Sequence, residues 1–298
     1  MHQLKQVNGY YVGYINGEEV VKSKSKYYAE RKLYNTSAPA FKAPETVVEP
    51  AVEFPINQRF GFVTDLVSMV ANGATPSCIV SGEGGLGKTF TVIQALEAAG
   101  LRNITEVPVG EVVPPKSTYR DVKGYSTPKG LYRILAENAN SIIVFDDCDS
   151  VLKDDNALNI LKGALDTFDK RIISWNSSKD EDDVPRWFQF KGGIIFISNM
   201  PLHKMEQAVR SRAMCVDLSM TLSQKIERMA VIMNDDGFMP EVAMSVKKAA
   251  LALVDELKEK SKEVSLRTLI KTAKIANSKS ANWKSLAEYM LILSLIHI

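Results

Sequence analysis

Residues 82–89 read GEGGLGKT, glycine at both ends of a four-residue spacer followed by lysine and a hydroxyl residue. Each residue type has a mechanical role toward a chain of phosphates. Gly82, Gly84, Gly85 and Gly87 let the backbone curl closely round an anion and turn successive N–H groups inward, while Glu83 and Leu86 fill the spacer. Lys88 brings a positive charge to the terminal phosphates, and Thr89 offers a hydroxyl to magnesium. A second group of acids follows. The apolar run at 141–145 (SIIVF) ends in Asp146 and Asp147, which places Asp146 to hold magnesium through water and Asp147 to orient or deprotonate an attacking water. Another apolar run, at 193–198 (GIIFIS), ends at Asn199, whose amide can hold that water or the terminal phosphate.

These groups need a frame. The run 77–81 (SCIVS) reads as a short buried strand, and from Thr89 and Phe90 onward the pattern opens a helix, whose N-terminal dipole favours an anion. Helices are expected at 60–71, 130–137 and 156–168, and strands at 103–109, 141–145 and 193–198. Alternating strands and helices predict a parallel sheet covered on both faces, with ligands at the carboxyl ends of its strands. From Thr221 strand signals vanish and about four helices remain. Residues 171–175 and 186–190 read as an extra hairpin joined by the acidic loop 179–183 (KDEDD).

The amino-terminal segment differs in kind. Residues 10–14 and 19–23 read as two strands around the Asn16-Gly17 turn, with a short helix at 25–33. Prolines 39, 44, 50 and 55 then mark an extended linker. The resulting division is a basic appendage at 1–34, a linker at 35–55, an α/β core at 56–220 and a helical domain at 221–298.

Composition bounds the remaining choices. The 298 residues are 45% hydrophobic and 24% charged, ordinary for a soluble globular protein. Cys78, Cys148 and Cys215 lack metal-ligand spacing and read as packing residues in a reducing cytoplasm. No secretory signal is expected in the first twenty residues, and the apolar tail at 290–298 is too short to span a bilayer. The net charge of +2 is uneven: residues 1–33 and 221–298 carry +3 each, which leaves −4 for 34–220. Basic ends around an acidic middle place any nucleic-acid contact at the ends.

In order and spacing these motifs resemble those of the AAA+ ATPases across about residues 56–290. FDDCDSVL is similar to the second nucleotide motif, ISN to sensor 1, VRSRA to the arginine-finger box and SLRTLI to sensor 2. The resemblance implies a parallel-sheet P-loop AAA+ core with a C-terminal all-helical lid, ATP and Mg2+ as ligands, and a homo-oligomeric ring, usually a hexamer. It also implies Arg267 as the lid's contact to the nucleotide. Arg212 is implied as the finger entering a neighbour's site, with Arg210 as the alternative. The family usually has glutamate where Asp147 stands, so a modest turnover is expected. The hairpin before sensor 1 and the region 127–135 are similar to branch-migration motors, and the compact plan looks like AAA+ ATPases of tailed bacteriophages, hence an expected place in a host cytoplasm. Loops before the helix at 130–137 would face a central pore, making Tyr119, Lys123 and Tyr125 candidate pore residues. DNA or a protein is the expected partner, the basic ends favouring DNA and the acidic hairpin loop a protein.

Overall fold

The computed structural model describes residues 2–35, 54–167, 170–176 and 183–293. They form two units, Met1–Glu53 and Phe54–Ile298.

The first unit is a three-stranded antiparallel meander with one helix: β1 His2–Val7, β2 Tyr10–Ile15, β3 Glu18–Ser23 and α1 Lys26–Asn35. The expected hairpin is therefore part of a larger sheet. Asn8-Gly9 and Asn16-Gly17 all have positive φ (49° and 78°, then 52° and 95°), which suits tight turns between twisted strands. Gly13 lets α1 settle on the sheet, because a Cβ there would lie 2.7 Å from Val21 Cγ1 and 3.0 Å from Leu33 Cδ1. Val21, Ala29 and Leu33 make the small core beneath. Most of the expected linker, 36–53, lies outside the described residues.

The second unit opens with α2 (Ile56–Ala71), β4 (Ser77–Ser81), α3 (Lys88–Ala98), β5 (Arg102–Asn103), β6 (Thr118–Lys123), α4 (Pro128–Glu137), β7 (Ile142–Asp146) and α5 (Asp155–Ala164). The hairpin β8 (Arg171–Ser174) and β9 (Trp187–Phe190) follows, then β10 (Ile194–Ser198), α6 (Gln207–Arg210) and β11 (Met214–Asp217). Four helices complete it: α7 (Leu222–Met233), α8 (Met244–Leu257), α9 (Leu266–Asn277) and α10 (Trp283–Leu293). The six-stranded sheet is parallel throughout, in the order β11-β4-β10-β7-β6-β5. Its middle strands are buried on both faces. Ile79, Ile143, Phe145 and Phe196 pack with α4 and α5 on one side, while Cys78, Val80, Val144, Ile195 and Ile197 pack with α2 and α3 on the other. The result is an α/β core built on a parallel sheet, carrying a C-terminal helical lid.

Several elements depart from the sequence reading. The strand expected at 103–109 is only Arg102–Asn103, followed by a turn of 3-10 helix at Ile104–Glu106. The segment expected to be a loop before α4 is instead the strand β6, and β11 extends the sheet beside β4. The helix expected at 156–168 ends at Ala164. Phe168, the hairpin loop at 177–182 and the tail at 294–298 lie outside the described residues. Asp183, just after that loop, pairs with Lys129 at 2.8 Å and with Arg133, tying the base of the hairpin to α4. Among the described residues no helix is long and apolar enough to cross a membrane.

Candidate functional site at the strand ends

The strand order sets the site. β4 runs between β10 and β11, and β10 between β4 and β7, so the phosphate loop, Asn199 and the two acids emerge side by side at one sheet edge. Gly82 and Gly87 take φ of 148° and 94°, and a Cβ at Gly82 would meet the Leu218 backbone at 2.9 Å. Glycine at Gly82 is thus required both by its conformation and by the strand-end backbone beside it.

Lys88 is buried, and its ammonium donates to the carbonyls of Gly82 at 2.5 Å and Glu83 at 2.7 Å, and to Asn199 Oδ1 at 2.9 Å. Burial lowers its pKa, which the carboxylates of Asp147, Asp146 and Asp149 partly offset. Asn199 turns its other end to Asp147, donating from Nδ2 to Oδ1 at 2.8 Å. One amide therefore links the loop lysine to the expected water activator. Asp147 itself has φ 55°, a left-handed conformation that an aspartate adopts at some cost, and its N–H donates to Ile197 O at 3.1 Å.

Thr89 Oγ1 donates toward both oxygens of the buried Asp146, at 3.0 and 3.1 Å. A hydroxyl beside a carboxylate is a hard oxygen pair, the donor chemistry that magnesium accepts when phosphates and water complete its shell. Next to Asp146, the thiol of Cys148 donates to Val122 O at 3.2 Å. Burial, with help from Asp146, raises its pKa to about 11.

The cavity these groups enclose measures about 240 Å³ and is also lined by Phe90 and by Arg267 and Ile270 of α9. Arg267 lies over the loop, its Nη1 3.9 Å from where a Cβ of Gly84 would stand. The lid grips the loop at three further points. Leu266 N donates to Gly85 O at 2.7 Å, Lys225 pairs with Glu83, and Leu86 is fully buried in the lid's own core with Met229, Ala250 and Leu269.

Arg212 lies elsewhere. Its carbonyl accepts from Ser77 Oγ at 3.1 Å, at the opposite end of β4 from the loop, while its guanidinium donates to Ala208 O at 2.9 Å. Arg210, its alternative, has a buried Nε with no partner among the described residues.

One pore assignment, Tyr119, is corrected. Tyr119 is 2% exposed within β6, its hydroxyl 3.4 Å from Glu97, because the segment is a strand rather than a loop. Lys123 ends that strand beside the acids, 3.2 Å from Asp121 and 3.5 Å from Asp146. The contact with Asp121 raises its pKa. Tyr125 is 77% exposed in the following loop.

Sequence reasoning missed Asp149, which accepts from Ser198 Oγ at 2.5 Å and so braces the strand end before Asn199. Its signal was present within FDDCDSVL. Lys225 had none, since it meets Glu83 from a helix 142 residues away.

No protein-family model matches the chain. It is 28% identical over 250 residues to an uncharacterized 36.7 kDa protein of the nrdC-mobD intergenic region of Enterobacteria phage T4, across 78% of this chain and 73% of that protein. Among solved structures it is similar to the ORC1 protein of Aeropyrum pernix in complex with DNA, with a TM-score of 0.46 and 14% identity over 83% of this chain and 68% of that one. It is also similar to PCH-2 of C. elegans, with a TM-score of 0.43 and 14% identity over 80% and 68% of the two chains.

Proposed function

We propose that this chain is an AAA+ ATPase that hydrolyses ATP between the subunits of a ring and uses the cycle to remodel a nucleic-acid complex. The observation that carries the reading is the division of the machinery. Lys88, Thr89, Asp146, Asp147, Asn199 and Arg267 converge on one cavity, while Arg212 sits at the far end of β4. Within a subunit, the loop amides and Lys88 hold the phosphates, and Thr89 with Asp146 holds magnesium. Held by Thr89 and Asp146, magnesium would supply positive charge to the phosphates. Asn199 fixes Asp147, which takes a proton from the attacking water. Arg267 closes over the phosphates from the lid. Arg212 of one subunit completes the neighbouring site, and a finger supplied in this way can contribute ~10³–10⁵ in rate.

The basic ends, +3 in 1–33 and +3 in 221–298, support a nucleic acid as what the ring acts on. Four carboxylates at 180–183 favour the second reading, a protein remodeller. Subunit mixing tests the shared site. Arg212→Ala and Asp147→Asn proteins should each bind ATP without turning it over, and their mixture should recover activity at interfaces pairing an intact Asp147 with an intact Arg212. Full turnover by Arg212→Ala alone rules out its role as the finger. ATPase rates with DNA or with protein substrates then separate the two readings.

A further inference from the structure

The amino-terminal unit has one sheet face that α1 does not cover. Gly13 points at α1, so its neighbours Val12 and Tyr14 project to the opposite side, and Tyr10 projects with them. Register places Lys5 and Lys22 on either side of Val12, on that same face. The result is a compact cluster. Lys5 Nζ lies 5.8 Å from the Tyr14 ring centroid, while Lys22 and Lys24 lie 5.3 and 5.6 Å from that of Tyr10. Glu19, opposite Tyr14, is the acid nearest this arrangement in register. Among the described residues none of the three lysines is in an ion pair, so each is held only by a weak attraction to a ring.

We propose that this face binds single-stranded nucleic acid, with bases stacked on Tyr10 and Tyr14 and phosphates neutralised by Lys5, Lys22 and Lys24. It deepens the nucleic-acid reading above and rests on it for its purpose, although the binding itself needs no ATP. Partly exposed aromatic rings on either side of the buried Val12, flanked by exposed lysines, match the two parts of a single strand, unstacked bases and a phosphate backbone. Charge complements as well, since residues 1–33 hold six lysines and arginines against three acids. A duplex fits less well, because its bases are already stacked on one another and leave no free face for Tyr10 and Tyr14.

The test is fluorescence anisotropy of a labelled oligothymidylate with the full chain, without nucleotide. Binding is expected, and it should weaken with salt. K5Q/K22Q/K24Q should lose at least ~10-fold in affinity and flatten the log–log salt slope by about 2, from about 0.7 per phosphate contact on a single strand. Y10L/Y14L should lose affinity with the slope kept, and Y10F/Y14F should retain it. If the triple variant loses its fold by circular dichroism, Lys22→Gln alone should show a smaller loss in the same direction. Lys88→Ala should bind as wild type does, so failure of the ATPase reading leaves this site standing. Conversely, binding that survives every lysine and tyrosine change places the contact elsewhere and overturns the proposal. So do absence of binding and a preference for duplex DNA or polyglutamate.

Discussion

Leu86 is a spacer residue of the phosphate loop, yet its side chain belongs to the lid. It is fully buried among Met229, Ala250, Leu253, Val254 and Leu269. Leu86→Ala should therefore act on the lid before it acts on phosphates. Truncating a buried leucine removes transfer energy and leaves a cavity, about 3–5 kcal/mol in a site that collapses poorly. The Leu266–Gly85 hydrogen bond and the Lys225–Glu83 pair remain, so the expected loss sits near 3 kcal/mol. Denaturant unfolding followed by circular dichroism measures it. Amide exchange should locate it in α7, α8 and α9 rather than in the sheet. ATP affinity should fall as well, because binding must then re-seat the lid that carries Arg267. Leu86→Met, close in volume, should recover most of the stability, within ~1.5 kcal/mol of wild type. A Leu86→Ala protein within ~0.5 kcal/mol of wild type, or one whose faster exchange is confined to β4 and α3, would refute this account of the loop.

Two further outcomes are expected. Asp147→Asn should keep ATP affinity while single-turnover hydrolysis slows ~10²–10⁴-fold, since the amide preserves the bond to Asn199 but takes no proton from water. Gly192→Ala should destabilise by about 3 kcal/mol or more in thermal unfolding, because its Cβ would lie 1.9 Å from the Ser141 carbonyl oxygen and backbone must move.

The parts legible in the sequence were those whose own residues carry a pattern. Buried central strands such as β7 and β10 are continuous apolar runs, and the loop's glycines and lysine have few alternative uses. β6 escaped because TYRDVK carries three charges and no alternation, its burial coming from β7 and α3 rather than from composition. β1 escaped because HQLKQV is a mostly exposed edge of a small sheet. Asn8-Gly9 was the turn signal that could have located it. The lid's grip was invisible for another reason. Lys225, Leu86 and Leu266 become neighbours only when the helices fold back over the loop, and no local preference encodes that distance.

The buried thiol beside the acids has a practical consequence. With its pKa raised to about 11, Cys148 at neutral pH is thiolate for a fraction on the order of 10⁻⁴, and it is also shielded by its strand-end position. A reagent that requires thiolate therefore meets Cys148 only when the strand end bearing Asp146 opens. Its alkylation rate reads the frequency of that opening directly, in a protein with only two other thiols, at Cys78 and Cys215. Comparing that rate with and without ATP would time the breathing of the acid loop with a natural clock, no label being required.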